Sequence, residues 1–142
     1  MKTDAIKLSD IKRSWYIVDA KDQTLGRLSS KVAQIIRGKN KINFAPHLDM
    51  SDYVIVVNSD YIKVSGDKEN EKNYWRHSGY PGGGKTSLFK TIKENNSEMI
   101  IQKAVKGMLP SNKLSNKLIQ HLKVYKNEDH PHASQKPKKL EI

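Results

Sequence analysis

The run Tyr53-Val54-Ile55-Val56-Val57 contains no polar residue. A strand with one face in water alternates apolar and polar side chains, whereas a strand covered on both faces has no need to. The β-branched residues that dominate the run favour a strand over a helix. A strand of this kind fits a parallel sheet sheltered on both sides, and therefore an α/β fold. The segment before it supplies the rest of a βαβ unit. Trp15-Tyr16-Ile17-Val18 reads as a strand. Leu25, Leu28, Val32, Ile35 and Ile36 then fall at helical spacing. Thr24 is placed to cap that helix and Gly38 to end it in a left-handed conformation. The crossover joining the two strands is expected to be right-handed.

Further along, Lys39 to Ser51 reads as irregular, and the alternation in Tyr61-Ile62-Lys63-Val64 predicts a second, more exposed strand. Asp67 to Asn73 is polar and expected to be solvated. Tyr74 to His77 is expected to be extended, and Gly79 to Gly84 cannot form regular structure. Glu98 to Leu109 has a helix pattern, stopped by Pro110. Leu114, Leu118, Leu122 and Tyr125 predict a second helix over Lys113 to Tyr125. After Asn127 the chain reads as an extended tail. The expectation is one domain over 1–142, with a Gly-rich loop at about 74–87, a basic helical part at about 98–126 and a tail at 127–142.

Composition narrows the function. The chain has 142 residues and no cysteine, with 26 Lys and Arg against 15 Asp and Glu, a net charge of +11. Disulfides, thiol redox chemistry and Cys-based zinc sites are excluded. The longest apolar run falls far short of the ~20 residues of a membrane helix, and no secretory signal is expected. A charge this high points to a polyanionic partner, foremost nucleic acid. The basic residues are mostly Lys, 22 against 4 Arg, which favours phosphate contacts over bidentate base reading. The charge is also uneven. Met99 to Tyr125 holds Lys103, Lys106, Lys113, Lys117 and Lys123 without a single acid.

Gly79 to Thr86, GYPGGGKT, fits the phosphate-loop pattern G-x-x-x-x-G-K-[ST] letter for letter. Its context argues against nucleotide chemistry. The residues before it are bulky and polar rather than a buried strand, and too few residues follow for the remaining strands of such a fold. A loop whose glycines let the backbone approach RNA, with Arg76, His77 and Lys85 beside phosphates, suits the segment better. His47, His77 and His121 are far apart in sequence, and His130-Pro131-His132 has no third ligand, so no metal site is expected. Tyr74, Trp75 and Tyr80 are open to base stacking, whereas Trp15 and Tyr16 are better explained by packing.

Four blocks in order give the chain a resemblance. They are WYIVDA with TLGRLS (Trp15–Ala20, Thr24–Ser29), FAPHLD with DYVIVVN (Phe44–Asp49, Asp52–Asn58), YWRHSGYPGG (Tyr74–Gly83), and AVKGMLP with LKVY and HPHA (Ala104–Pro110, Leu122–Tyr125, His130–Ala133). Together they resemble the bacterial form of the large-subunit ribosomal protein L-thirteen family. The resemblance implies a three-layer α/β/α body around a mostly parallel four-stranded sheet, with a helical C-terminal part and tail. It implies a structural constituent of the large subunit that binds large-subunit ribosomal RNA early in assembly, beside neighbouring ribosomal proteins in the cytoplasm. It implies no catalysis, cofactor, membrane or small-molecule substrate. By motif, the RNA-facing candidates are Arg76, His77 and Lys85; Lys106; Lys123, His130 and His132; and Lys39, Lys41 and His47. Lys103, Lys113 and Lys117 join them on charge alone. Ser51 stands where the family commonly has Gly, which puts that turn's geometry in question, and Leu114-Ser115-Asn116 replaces a usual Leu-Gly-Arg. A free nucleic-acid regulator or a P-loop NTPase would be the alternative readings.

Overall fold

A computed structural model describes residues 6–142. Residues 1–5 of the expected domain lie outside that description. The body is built on four parallel strands: β1 (Trp15–Asp19), β2 (Tyr53–Val57), a short β5 (Leu122–Val124) and β6 (Lys138–Lys139), in the order β5-β2-β1-β6. Helix α1 (Leu25–Arg37) connects β1 to β2 as its periodicity predicts, and Gly38 ends it at φ 79°. That glycine is required twice over. Its φ is left-handed, and a Cβ there would lie 2.5 Å from the Met50 carbonyl oxygen. Thr24 flanks the helix but makes no side-chain cap. The Leu25 amide is satisfied instead by the Lys63 carbonyl at 2.8 Å.

Between β2 and β5 lie α2 (Lys68–Glu71), an antiparallel hairpin of β3 (Asn73–His77) and β4 (Gly84–Leu88), α3 (Phe89–Met108) and α4 (Lys113–Leu118). Helix α3 is two helices joined at Asn96, whose φ −151° and ψ 75° are not helical. The Asn96 carboxamide oxygen accepts from the Met99 amide at 3.3 Å and so caps the second part. The helix start expected at Glu98 therefore matches that second part, and the first part from Phe89 is additional.

The order of strands sorts the layers. Going from β1 to β2 to β5 steps the same way twice, so right-handed crossovers put α1 and α3 on one face. Val18, Val54, Val56, Leu122 and Val124 point to that face, into one core with Leu28, Ile36, Ile100 and Ile101. Each fully buried aliphatic side chain there contributes roughly 1.5–3 kcal/mol of burial. The step from β5 back to β6 runs the other way, so the same rule sends the tail across the opposite face. His132 accordingly packs on Trp15 from that side, with ring centres 5.2 Å apart, and Trp15 stacks on Tyr53 at 4.3 Å.

Three expectations need correction. Tyr61 to Val64 is not a strand. Ser59–Tyr61 is a 3-10 turn, Ile62 is completely buried, and only a single bridge joins Thr24 to Lys63. Ile62 anchors the segment in the core, which the simple alternation could not distinguish from sheet pairing. The helix expected over Lys113 to Tyr125 stops at Leu118, passes through a 3-10 turn and becomes β5. Leu122 and Val124 pair with Val54 and Val56 there, so sheet pairing overrides the four-residue leucine spacing. The tail is more than extended chain. It forms a 3-10 turn at Ala133–Gln135 and supplies β6 beside β1.

Candidate nucleic-acid interface

The predicted cations fall into sets that the fold treats differently. On the β3–β4 hairpin, Arg76 pairs across from Lys85, so both side chains leave the same face. Tyr74 shares that face and is half-buried, with Phe89 6.5 Å away. The ammonium groups of Lys103 on α3 and Lys72 stand 5.1 and 5.6 Å from the Tyr74 ring centre. Burial pushes the Tyr74 hydroxyl above its usual pKa, so it stays protonated. Lys72 and Lys103 thus flank the Tyr74 ring, and Arg76 and Lys85 extend the same face along the hairpin.

A second set gathers at the C-terminal end of α3. Lys106 and Lys113 line an open hollow of about 500 Å³ with Pro110, Ser111 and Asn112. Asn112 caps α4 through its side chain, bonded from the Ser115 amide at 3.0 Å. This holds Lys113 and, one turn on, Lys117 in place on the helix. Arg37 and Lys39 line a neighbouring hollow of about 340 Å³ with Met108. Pro110 is what brings these elements together, because it ends α3 and turns the chain into α4.

Among the described residues, none of these cations lies within ion-pair distance of a carboxylate, and all but Arg37 are exposed. Cations with no internal partner are free to replace counterions on a polyanion.

Lys41 differs. Its ammonium binds Asp52 and the Lys12 carbonyl, each at 2.8 Å, and Asp52 is 1% exposed. The Ser14 amide donates to the same carboxylate at 2.9 Å. Lys41 is committed to the protein's own interior. His132 is likewise occupied, lying 2.8 Å from the Tyr125 hydroxyl and against Trp15. Its neighbour His130 accepts from the His132 amide at 3.2 Å. His47 is exposed in the loop before β2. His77 accepts from the Gly79 amide at 2.9 Å, which helps to close the hairpin turn. Lys123 is half-buried and lies on β5 rather than on a helix, directed to the tail face.

Ser51 removes the question about its turn. It is buried, and no left-handed φ is found there. Its hydroxyl donates to Asp49 Oδ1 at 2.5 Å, which leaves Oγ to accept from His121 Nδ1, also at 2.5 Å. Arg13 pairs with the same Asp49 at 3.1 Å. Burial alone would raise the Asp49 pKa, but hydrogen bonds from Ser51 and the charges of Arg13 and His121 hold it below the usual value. His121 is pushed down, first by burial and then by Arg13 and Lys123, against the opposing pull of Asp49.

The phosphate-loop lookalike resolves into a turn and a strand. Gly79 and Gly82 take left-handed φ in the turn, and Lys85 and Thr86 lie within β4. In a nucleotide site those two residues would open a helix after a parallel strand. Here they pair antiparallel with Arg76 and Trp75. Among the described residues, no three His, Asp or Glu side chains gather as a metal site, and no helix is long and apolar enough to cross a membrane.

Comparison with known proteins decides the family. Residues 13–131 match the model of the family described as ribosomal protein L13. The chain belongs to the ribosomal protein L13 family. It is 54% identical to the large ribosomal subunit protein uL13 of Synechococcus sp., over 99% of this chain and 94% of that protein. It is 50% identical to uL13 of Alcanivorax borkumensis over the full length of both. Against uL13 of Prochlorococcus marinus strain MIT 9312 the identity is 55%, over 96% of this chain and 95% of that one.

Within this L13-family fold, sequence reasoning overlooked Arg37 and Lys72. Arg37 was visible as a basic residue off the apolar stripe of α1, in the turn before Gly38. Lys72 stands two residues before Tyr74, a spacing that puts it on the same side of an extended segment.

Proposed function

We propose that this chain is a structural constituent of the large ribosomal subunit that binds large-subunit ribosomal RNA and supports subunit assembly. The observation that carries this reading is the contrast between its family membership and its unpaired charge. Relatives of about half identity are named as large-subunit proteins, and among the described residues Arg76, Lys85, Lys103, Lys106, Lys113 and Lys117 have no carboxylate within ion-pair distance. Two lysine-rich surfaces, one on the hairpin and one at the end of α3, would each take the phosphates of a different RNA segment. The protein then acts as a clamp that stabilises a junction of folded RNA, recognising mainly shape, phosphates and 2′-hydroxyls. Lys39 lines the hollow with Arg37 and Met108, and His77 helps to close the hairpin turn. Neighbouring large-subunit proteins would meet the remaining exposed surface. The role is non-catalytic, needs no cofactor, and is exercised in the cytoplasm on the ribosome.

The test is sedimentation of the tagged protein from a cell lysate through a sucrose gradient after a high-salt wash. Stoichiometric migration with large subunits and intact ribosomes is the expected result. A pool confined to light fractions would overturn the reading.

A further inference from the structure

The β3–β4 hairpin has two unlike faces. Tyr74, Arg76, Lys85 and Ser87 share one, by alternation and register. That face is cationic, and at its base Tyr74 turns toward Phe89 and α3. Trp75, His77, Gly84, Thr86 and Leu88 share the other. This second face carries no Lys, Arg, Asp or Glu, and it is open to solvent. Trp75 is 67% exposed and Leu88 47% exposed.

The setting of Trp75 is specific. Gly84 pairs with His77 and so sits diagonally across from Trp75. A Cβ on Gly84 would stand 3.3 Å from the indole Nε1 and 3.9 Å from Cε2. The indole edge therefore rests close to the bare backbone of Gly84, where a larger residue would make it shift by a few tenths of an ångström. The His77 ring flanks it, with centres 5.7 Å apart and planes tilted by 38°. With two-thirds of its surface exposed, much of the indole remains open to solvent. Nothing in the core explains so large an apolar group here. The other tryptophan, Trp15, is stacked on Tyr53 within the sheet layer.

We propose that Trp75 is a stacking platform for an unpaired base of the RNA whose phosphates are held by the cationic face of the same hairpin. This rests on the RNA-binding reading above. Charge complementarity selects the occupant. Residues 73–88 carry Arg76 and Lys85 and no carboxylate, so a polyanion is drawn to both sides of the ribbon. Nucleic acid supplies in one molecule the phosphate for one face and the flat aromatic group for the other. Trp75 then gives affinity with little preference among bases, since every base has a π-face, while His77 borders the stack.

The test compares the full-length protein with Trp75→Ala, Trp75→Phe and Arg76→Ala variants in binding a transcript of large-subunit ribosomal RNA across a salt series. Trp75→Ala is expected to weaken binding about tenfold with an unchanged salt slope, because stacking releases no counterions. Trp75→Phe should recover most of the affinity. Arg76→Ala should instead lower the slope by ~0.7–0.9. Tryptophan emission should be quenched on RNA binding by the wild-type protein and unquenched in Trp75→Phe, where only Trp15 remains to report. Affinity of Trp75→Ala within twofold of wild type, with Arg76→Ala still impaired, would overturn the platform and leave the RNA-binding reading standing. Unchanged RNA affinity of Trp75→Ala combined with loss from assembled subunits would assign the face to a neighbouring protein and equally overturn it. Failure of the wild-type protein to bind the transcript would overturn the functional reading itself.

Discussion

Two regions of this molecule use the same basic side chains in opposite ways. Where β1, β2 and β5 begin, charge is consumed internally: Lys41 on Asp52, Arg13 on Asp49, and Asp49 linked through Ser51 to His121. At the end of α3 and along the hairpin, Lys106, Lys113, Arg76 and Lys85 have no carboxylate within ion-pair reach among the described residues. The first arrangement holds loops onto the ends of strands. The second leaves charge available to a partner. A net charge of +11 is thus not a uniform coat, and basic residues in this chain have to be read by their partners.

The largest effect is expected at Lys41. Lys41→Ala leaves the buried Asp52 carboxylate with only the Ser14 amide. Removing one partner of a buried pair costs about 3–5 kcal/mol, and the partial exposure of Lys41 puts this one near the lower end. Urea denaturation should show that loss. An unfolding midpoint unchanged from wild type would show that the pair is not structural.

The next effect concerns pH. His121 and Asp49 both have folded pKa values below their ordinary ones, 6.5 and 3.8, so at each site the unfolded chain binds more protons in the affected window. Their stabilising contributions are present above those ordinary values and are lost as pH falls through the depressed folded values. Stability should therefore decline below about pH 6.5 as the His121 share is lost, and again below about pH 4 as the Asp49 share is lost. Ser51→Ala removes the link between them and should cost about 1 kcal/mol at neutral pH. His121→Gln should flatten the decline between pH 7 and 5. Unfolding curves at a series of pH values measure both. A wild-type protein equally stable at pH 7 and pH 5 would contradict the assignment of His121.

The smallest effect on stability is expected at the other region. Lys106→Ala and Lys113→Ala should leave the unfolding free energy within ~0.5 kcal/mol of wild type. Each should lower the salt slope of RNA binding by ~0.7–0.9. A stability loss as large as that of Lys41→Ala would erase the distinction between the regions.

What the sequence disclosed follows the strength of local patterning. The β1-α1-β2 unit was legible because Val54 to Val57 and the Leu25–Ile36 stripe are long, consistent signals. β5 was hidden because Leu114, Leu118 and Leu122 keep helical spacing across a change of structure, and three residues are too few for an alternation to declare itself. β4 was hidden because Gly84 to Leu88 is exposed throughout and owes its form to pairing with β3 alone. The fourth sheet strand lay in the resemblance, not in Lys138 and Lys139, whose one strand partner among the described residues is β1. Among the candidate residues, Arg76 and Lys85 followed from a glycine-rich turn between polar segments. The commitment of Lys41 did not, because Asp52 is reached only through the folded path of the loop before β2. The link from Ser51 to His121 spans most of the sheet's construction and leaves no local trace.

We propose that the cations without a carboxylate partner, and not basic residues in general, carry the RNA. The most direct test is the salt dependence of binding to a large-subunit ribosomal RNA transcript. It compares the wild-type protein, a variant with Arg76, Lys85, Lys106 and Lys113 all changed to Ala, and Lys41→Gln, each at a temperature where it is folded. The predicted result is a slope reduced by ~3 in the fourfold variant and unchanged in Lys41→Gln. A fourfold variant that keeps the wild-type slope, or a Lys41→Gln variant that loses as much per residue, would contradict it.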